Sequence, residues 1–105
     1  MPPPSLSADG PSGPSAYLDH LDATLTELYD GLGELAEHLD QEAERTEDGA
    51  DWLGALGWRM TLTEVRSQVL AARHCVHGGM IAILRARPEA RLRDASAQAT
   101  RRPPP

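Results

Sequence analysis

The sequence predicts a small all-α protein whose ordered part is an antiparallel helical hairpin. The first observation is a leucine at every third or fourth position between residues 18 and 39, which is the a/d spacing of a heptad repeat. The second is a similar apolar spacing between residues 62 and 83. The third is the lack of any Phe or alternating Val/Ile run, which argues against a sheet.

The 105 residues predict one domain with two tails. We expect residues 1–14, which are rich in Pro, Ser and Gly, to be disordered. Residues 15–87 should form the hairpin, and residues 88–105 an Arg/Ala/Pro-rich tail. A core this small rarely supplies more than about 3–5 kcal/mol, so we expect hairpins to associate into a four-helix bundle.

The first predicted helix covers residues 15–47. Ser15 has the chemistry of an N-cap, and the helix should end where acidic residues precede Gly49. Acidic side chains fill the positions outside the heptad seam and predict a solvated face. The predicted core of this helix is Leu18, Leu21, Leu25, Leu28, Leu32, Leu35 and Leu39.

An apolar bend is predicted at residues 48–60. It contains Trp52, Leu53, Leu56 and Trp58, and connections between helices are rarely this apolar. Two interpretations are open. The segment is either a lid over the end of the hairpin or an exposed patch that binds a partner.

The second predicted helix covers residues 61–87. Thr61 and Glu64 match a capping box at its start, and Pro88 should end or kink it. One position on the flank of its seam repeats every seven residues and carries Arg66, Arg73, Met80 and Arg87. The predicted core of this helix is Leu62, Val65, Val69, Val76 and Ile83.

Antiparallel pairing is expected to bring four helix glycines to about one level. They are Gly31, Gly33, Gly78 and Gly79. A glycine inside a helix costs roughly 0.5–1 kcal/mol relative to Ala. Close approach of the two backbones would explain the four glycines, and so would a weak, bent layer.

Charge is distributed unevenly along the chain. The net charge is −6, but residues 1–58 have a balance of −12 and residues 59–105 a balance of +6. The two halves are therefore electrostatic complements.

Several features favour a bacterial cytoplasm. Cys75 is the single cysteine, which excludes a disulfide within the chain and fits a reducing compartment. The first residues lack the charged and then apolar opening of a signal peptide, and the longest apolar run, Met80–Leu84, is too short to span a bilayer. All ten basic residues are Arg, which is typical of a GC-rich genome.

One cluster of metal-ligand residue types occurs, at residues 74–77. His74 and His77 lie one helical turn apart, but they fall at outer heptad positions while Cys75 lies on the flank, so the three should not converge. Cys75 is also far from a helix N-terminus that would activate its thiol. The sequence therefore predicts no catalytic residue, no metal site, no cofactor and no small-molecule substrate.

The Arg-rich C-terminal segment suggests nucleic acid as an alternative partner. Its arginines could bind phosphates. No aromatic residue is interleaved for base stacking, and the acidic first helix would repel a polyanion. These features argue against nucleic acid.

A second alternative comes from Trp52-Leu53-Gly54, a Trp-x-Gly between two predicted helices. It resembles the helical-hairpin substrates of type VII secretion, which carry this motif at the bend. The resemblance implies a secreted hairpin. The chain departs from the family in its Pro-rich ends and in lacking the tail signal Tyr-x-x-x-Asp/Glu, since its last tyrosine is Tyr29.

The function that these patterns favour is protein–protein binding without chemistry, by self-association or with another helical protein. From residue 76 to residue 84 the second helix is apolar on every side, and a helix of this kind is normally buried on every side. We expect a homodimer in which Arg73 and Arg87 reach the acidic face of a second copy. The predicted interface is Met80, Ile81, Leu84, Trp52 and Trp58.

Overall fold

The computed structural model describes residues 13–46 and 52–101. They form two long helices, α1 (Pro14–Thr46) and α2 (Trp52–Arg101), that pair as a hairpin. No described residue lies in a strand, and the predicted all-α hairpin is confirmed. Residues 1–12, 47–51 and 102–105 lie outside the described part, and with them most of the predicted N-terminal tail and the predicted stop at Gly49.

The start of α1 is capped from the other helix. The carboxylate of Asp94 accepts a hydrogen bond from the Ser15 backbone N–H at 3.3 Å, while the Ser15 hydroxyl is buried without a partner. The prediction that Ser15 is the cap is therefore wrong. Gly13 has φ 126°, a backbone conformation that favours glycine. A Cβ there would lie 2.6 Å from an Asp94 side-chain oxygen, so Asp94 would also have to shift.

The start of α2 lies well before the predicted capping box. The helix already begins at Trp52, so residues 52–60 of the predicted bend are helical. Thr61 donates its hydroxyl to the Gly57 carbonyl at 3.1 Å, four residues back, as threonines do inside helices. Thr61 is thus an interior residue and not a cap.

The end of α2 also differs from the prediction. The helix continues through Pro88 to Arg101, although Pro88 cannot donate to the carbonyl of Leu84. Leu84 is 65% exposed, so water has access to this turn of the helix. The segment beyond Pro88 does bury a face, because Ala90 is only 4% exposed and Asp94 caps α1.

The hairpin consists of two compact units. Residues 26–46 and 52–78 form the bend unit, and residues 13–25 and 79–101 form the terminal unit. Both helices run through both units.

In the bend unit, the contact surface of α1 is rotated relative to the predicted seam. Leu32 and Leu39 are half-buried as part of it, and Ala36 is buried. Leu28 and Leu35, however, are 49% and 45% exposed, so the prediction that they are buried is wrong for the single chain. Residues three and four positions after a seam leucine lie on opposite sides of it, about 60° one way and 40° the other. The contact surface includes the residues four positions after Leu25, Leu32 and Leu39, which we call the fourth position. These residues are Tyr29, Ala36 and Ala43.

The same rotation occurs in α2 of the bend unit. Leu62 is buried, and Val69 and Val76 are half-buried, whereas Val65 is 43% exposed and was wrongly predicted as core. The fourth position carries Arg66 and Arg73, and both are half-buried. The heptad position of Arg66 and Arg73, which was predicted to lie on the flank of the seam, is therefore part of the seam.

In the terminal unit, Ile83 and Ala90 of α2 are buried. On α1, three of the predicted core leucines are half-buried: Leu18, Leu21 and Leu25. Met80 and Arg87, at the fourth position of α2, are half-buried too.

Two glycines make room for side chains of the facing helix. A Cβ at Gly33 would lie 2.9 Å from the Arg73 guanidinium, and one at Gly79 would lie 3.3 Å from the Leu25 side chain. A Cβ at Gly31 or Gly78 would meet nothing within 4 Å. Side-chain contacts, and not close backbones, thus account for two of the four glycines.

Candidate functional site

The hairpin buries little by itself. Among the described residues, the buried hydrophobic side chains are Ala36, Leu62, Ile83 and Ala90, and no large side chain is fully buried. Within the same ranges, neither helix has a stretch long and apolar enough to cross a bilayer. Large apolar side chains are instead exposed along both helices.

Over residues 28–38 of α1 and 58–75 of α2, one side of the bend unit has no Asp, Glu or Arg, and we call this stretch the uncharged face. On α1 it comprises Leu28, Gly31, Leu35 and His38. On α2 it comprises Trp58, Thr61, Val65, Gln68, Ala72 and Cys75. All of these residues are exposed, and none is Asp, Glu or Arg, although 25% of the chain is charged.

The α1 and α2 parts of the uncharged face lie on the same side of the bend unit. Tyr29 and Arg73 occupy the fourth position after a seam residue in their own helices, and they contact each other. Residues three positions after a seam residue lie on the other side of the seam from the fourth position. In both helices they therefore lie on the side opposite Tyr29 and Arg73. Leu28, Leu35 and Val65 are third-position residues. The same side of α1 continues one turn beyond His38 with Glu42 and Arg45, which form an ion pair and end the uncharged face.

The composition of the uncharged face suits another helix pair. Leu28, Leu35, Trp58 and Val65 provide large apolar side chains that are about half exposed. Small residues lie between them at Gly31, Ala72 and Cys75. Alternating ridges and gaps of this kind are what helix-on-helix packing requires.

The opposite side of the bend unit is polar, and two of its arginines contact α1. Arg66 Nε lies 2.7 Å from Asp40 Oδ1, an ion pair in which the N–H does not point at the oxygen. Arg73 Nε donates to the Tyr29 carbonyl at 3.1 Å, and its guanidinium lies 3.8 Å above the Tyr29 ring. Arg73 was expected to reach a second copy, but it binds its own chain.

In the terminal unit, Arg87 pairs with two carboxylates of α1. Its Nη1 donates to Asp19 Oδ1 at 2.6 Å, and its Nη2 lies 3.7 Å from Asp22 Oδ2. The hydrogen bond to Asp19 raises the pKa of Arg87. Arg87 was also expected to reach a second copy. The acidic first half and the basic second half of the sequence therefore form some of their ion pairs within the hairpin.

The predicted partner interface is only partly available. Met80 is half-buried, whereas Ile81, Leu84 and Trp58 are exposed. The side chain of Trp52 lies outside the described part. Leu53 and Leu56 are exposed as well, which favours the interpretation of an apolar patch over that of a lid.

The His/Cys cluster is divided between the two flanks of α2. His74 and His77 line a small pocket with Tyr29, Leu70 and Arg73, while Cys75 is exposed on the uncharged face. Among the described residues, no three His, Cys, Asp or Glu side chains are placed to hold a metal ion.

One of the arginines beyond Pro88 pairs with a neighbouring acidic residue. Arg93 donates to Glu89 at 3.4 Å along the exposed surface of α2, and Arg91 is exposed. The side chains of Arg101 and Arg102 lie outside the described part.

No protein family, curated protein or solved structure matches this chain. The site is therefore argued from its own geometry. Sequence reasoning missed the uncharged face, because it placed Leu28, Leu35 and Val65 in the core.

Proposed function

We propose that this protein is a non-enzymatic helical hairpin that acts by binding protein, and that its first partner is a second copy of itself. The observation that carries the proposal is the uncharged face, an exposed and largely apolar surface in a chain that is one-quarter charged.

Charge favours a second copy over other occupants. The chain has a net charge of −6 and an acidic α1, so most contacts between copies would be repulsive. An isologous dimer through the uncharged face brings two neutral surfaces together and directs the acidic faces outward. A polyanion such as nucleic acid would find no arginine on this face.

The small core supports the same partner. In the described part of the chain four hydrophobic side chains are buried, which is little to hold one hairpin together. Two hairpins packed through Leu28, Leu35, Trp58 and Val65 would form a four-helix bundle whose second core covers these side chains. We further propose that the protein works in a bacterial cytoplasm, since a single cysteine and an all-Arg basic complement fit that setting.

Cys75 gives a natural reporter of the dimer, because it is exposed and lies on the uncharged face. We expect its reaction with a thiol reagent to slow at least about tenfold between low and high micromolar protein, as the dimer covers it. The rate in urea, where no dimer exists, should not depend on protein concentration. A folded-state rate that is equally independent of concentration would contradict an interface on this face.

Secretion remains the second candidate function. Trp52 and Gly54 lie in the first turn of α2, where the second helix of the hairpin begins, and the type VII substrates that the chain resembles carry their Trp-x-Gly at the bend. Antibody detection in culture supernatant of the native host, with and without its secretion machinery, tests this alternative.

A further inference from the structure

We propose that the pocket lined by Tyr29, Leu70, Arg73, His74 and His77 binds a phosphate group of a small ligand. The pocket lies in the bend unit, on the flank of the seam opposite the uncharged face. Its volume is about 220 Å³, below the roughly 300–1,000 Å³ of pockets for drug-sized ligands, so it suits one small group.

Arg73 is held in place before any ligand arrives. Its Nε donates to the Tyr29 carbonyl at 3.1 Å, and its Cζ lies over the Tyr29 ring, 3.8 Å from the ring centroid. Gly33 provides the space, since a Cβ there would lie 2.9 Å from Nη2. A guanidinium that is ordered in advance loses little entropy when it binds an anion.

The terminal nitrogens of Arg73 are available to a ligand. Arg66 and Arg87, at the same heptad position, each lie against a carboxylate. For Arg73, no carboxylate lies within ion-pair distance among the described residues. No carboxylate lines the pocket either, in a chain with 16 acidic residues. The pocket therefore has a fixed positive charge with no internal counterion.

The two histidines extend the donor set, and Arg73 determines the sign of the ligand. Imidazoles can donate to an anion or ligate a metal, but the adjacent guanidinium repels a cation. His77 contacts Tyr29, with ring centroids 5.8 Å apart, so it belongs to the same wall as the stacked arginine. Donors from one guanidinium and two imidazoles match the several oxygens of a phosphate better than the two of a carboxylate.

The test is a titration of the full chain with inorganic phosphate, followed by NMR of the histidine ring protons at fixed pH and ionic strength. We expect saturable shifts at His74 and His77, with His20 and His38 of α1 as internal controls that do not move. Arg73→Gln should weaken binding about tenfold, because it removes a charge-assisted hydrogen bond. The matched variant Arg66→Gln, seven residues away at the same heptad position, should bind as the wild type does.

Three results would overturn the site. These are shifts that do not saturate, equal shifts at all four histidines, and equal weakening by Arg66→Gln. Acetate binding as tightly as phosphate would contradict the phosphate assignment. His77→Gln leaves the stacked arginine intact, so it tests the pocket even if Arg73→Gln unfolds, and it should also weaken binding. None of these outcomes depends on the uncharged face, so self-association is judged separately.

Discussion

Replacing Leu62 by Ala is expected to lower the free energy of unfolding by about 2–5 kcal/mol. Leu62 is the largest buried side chain of the bend unit, at 6% exposed, and only three other described hydrophobic side chains are buried. The loss is comparable to the total that such a small core supplies, so most molecules should unfold at 25 °C.

Urea denaturation followed by far-UV circular dichroism measures this effect. The matched control is Leu84→Ala, the same substitution in the same helix at a side chain that is 65% exposed. It should change stability by less than about 0.5 kcal/mol in a hairpin that does not bury Leu84. If the Leu62→Ala and Leu84→Ala variants unfold at the same urea concentration, the assignment of the seam is wrong.

Replacing Leu35 by Glu is expected to dissociate the dimer, raising its dissociation constant at least about 100-fold. Leu35 is 45% exposed in the single chain, so its own hairpin tolerates a carboxylate there. In an isologous dimer both copies carry the substitution, and two charges are buried at once. Light scattering at high micromolar protein should give the monomer mass, with helicity retained.

Leu84→Glu is the matched control for this variant. It makes the same change at an exposed leucine of α2, outside the uncharged face. The dimer should survive it. Dissociation by Leu84→Glu but not by Leu35→Glu would instead place the interface at Ile81 and Leu84, where the apolar run of α2 predicted it.

The helix spacing was predictable, but the rotation of the helices about their axes was not. Leucines at alternating spacings of three and four leave two possibilities for the seam. It can include the residues three positions after Leu25 and Leu32, or the residues four positions after them. The structure takes the fourth position, because Ala36 allows close packing there and Arg73 stacks on Tyr29 across it. These are contacts between residues far apart in sequence, and a pattern read along one helix does not contain them.

Local signals also failed at both ends of α2. Thr61 and Glu64 match a capping box, yet Thr61 bonds back to Gly57 in a helix that has already begun. Pro88 matches a stop, yet the next residues are good helix formers, and Asp94 gains a hydrogen bond to the start of α1. Caps and stops are weak preferences that tertiary contacts override.

The candidate sites were predictable to different degrees. The sequence placed Cys75 on one flank of α2 and both histidines away from it, which agrees with the structure. Neither Arg73 nor Tyr29 was expected beside the histidines, because that pocket depends on the register between the helices. The uncharged face follows from the sequence only once the seam is known.

The solution mass of the unmodified chain tests the central claim most directly. Sedimentation equilibrium from low to high micromolar concentration should show the mass rising from that of one 11.4 kDa chain toward twice that value. Helicity and melting temperature should rise with it, because dimerisation covers the uncharged face. A fully helical chain that keeps the mass of one copy at every concentration would contradict self-association.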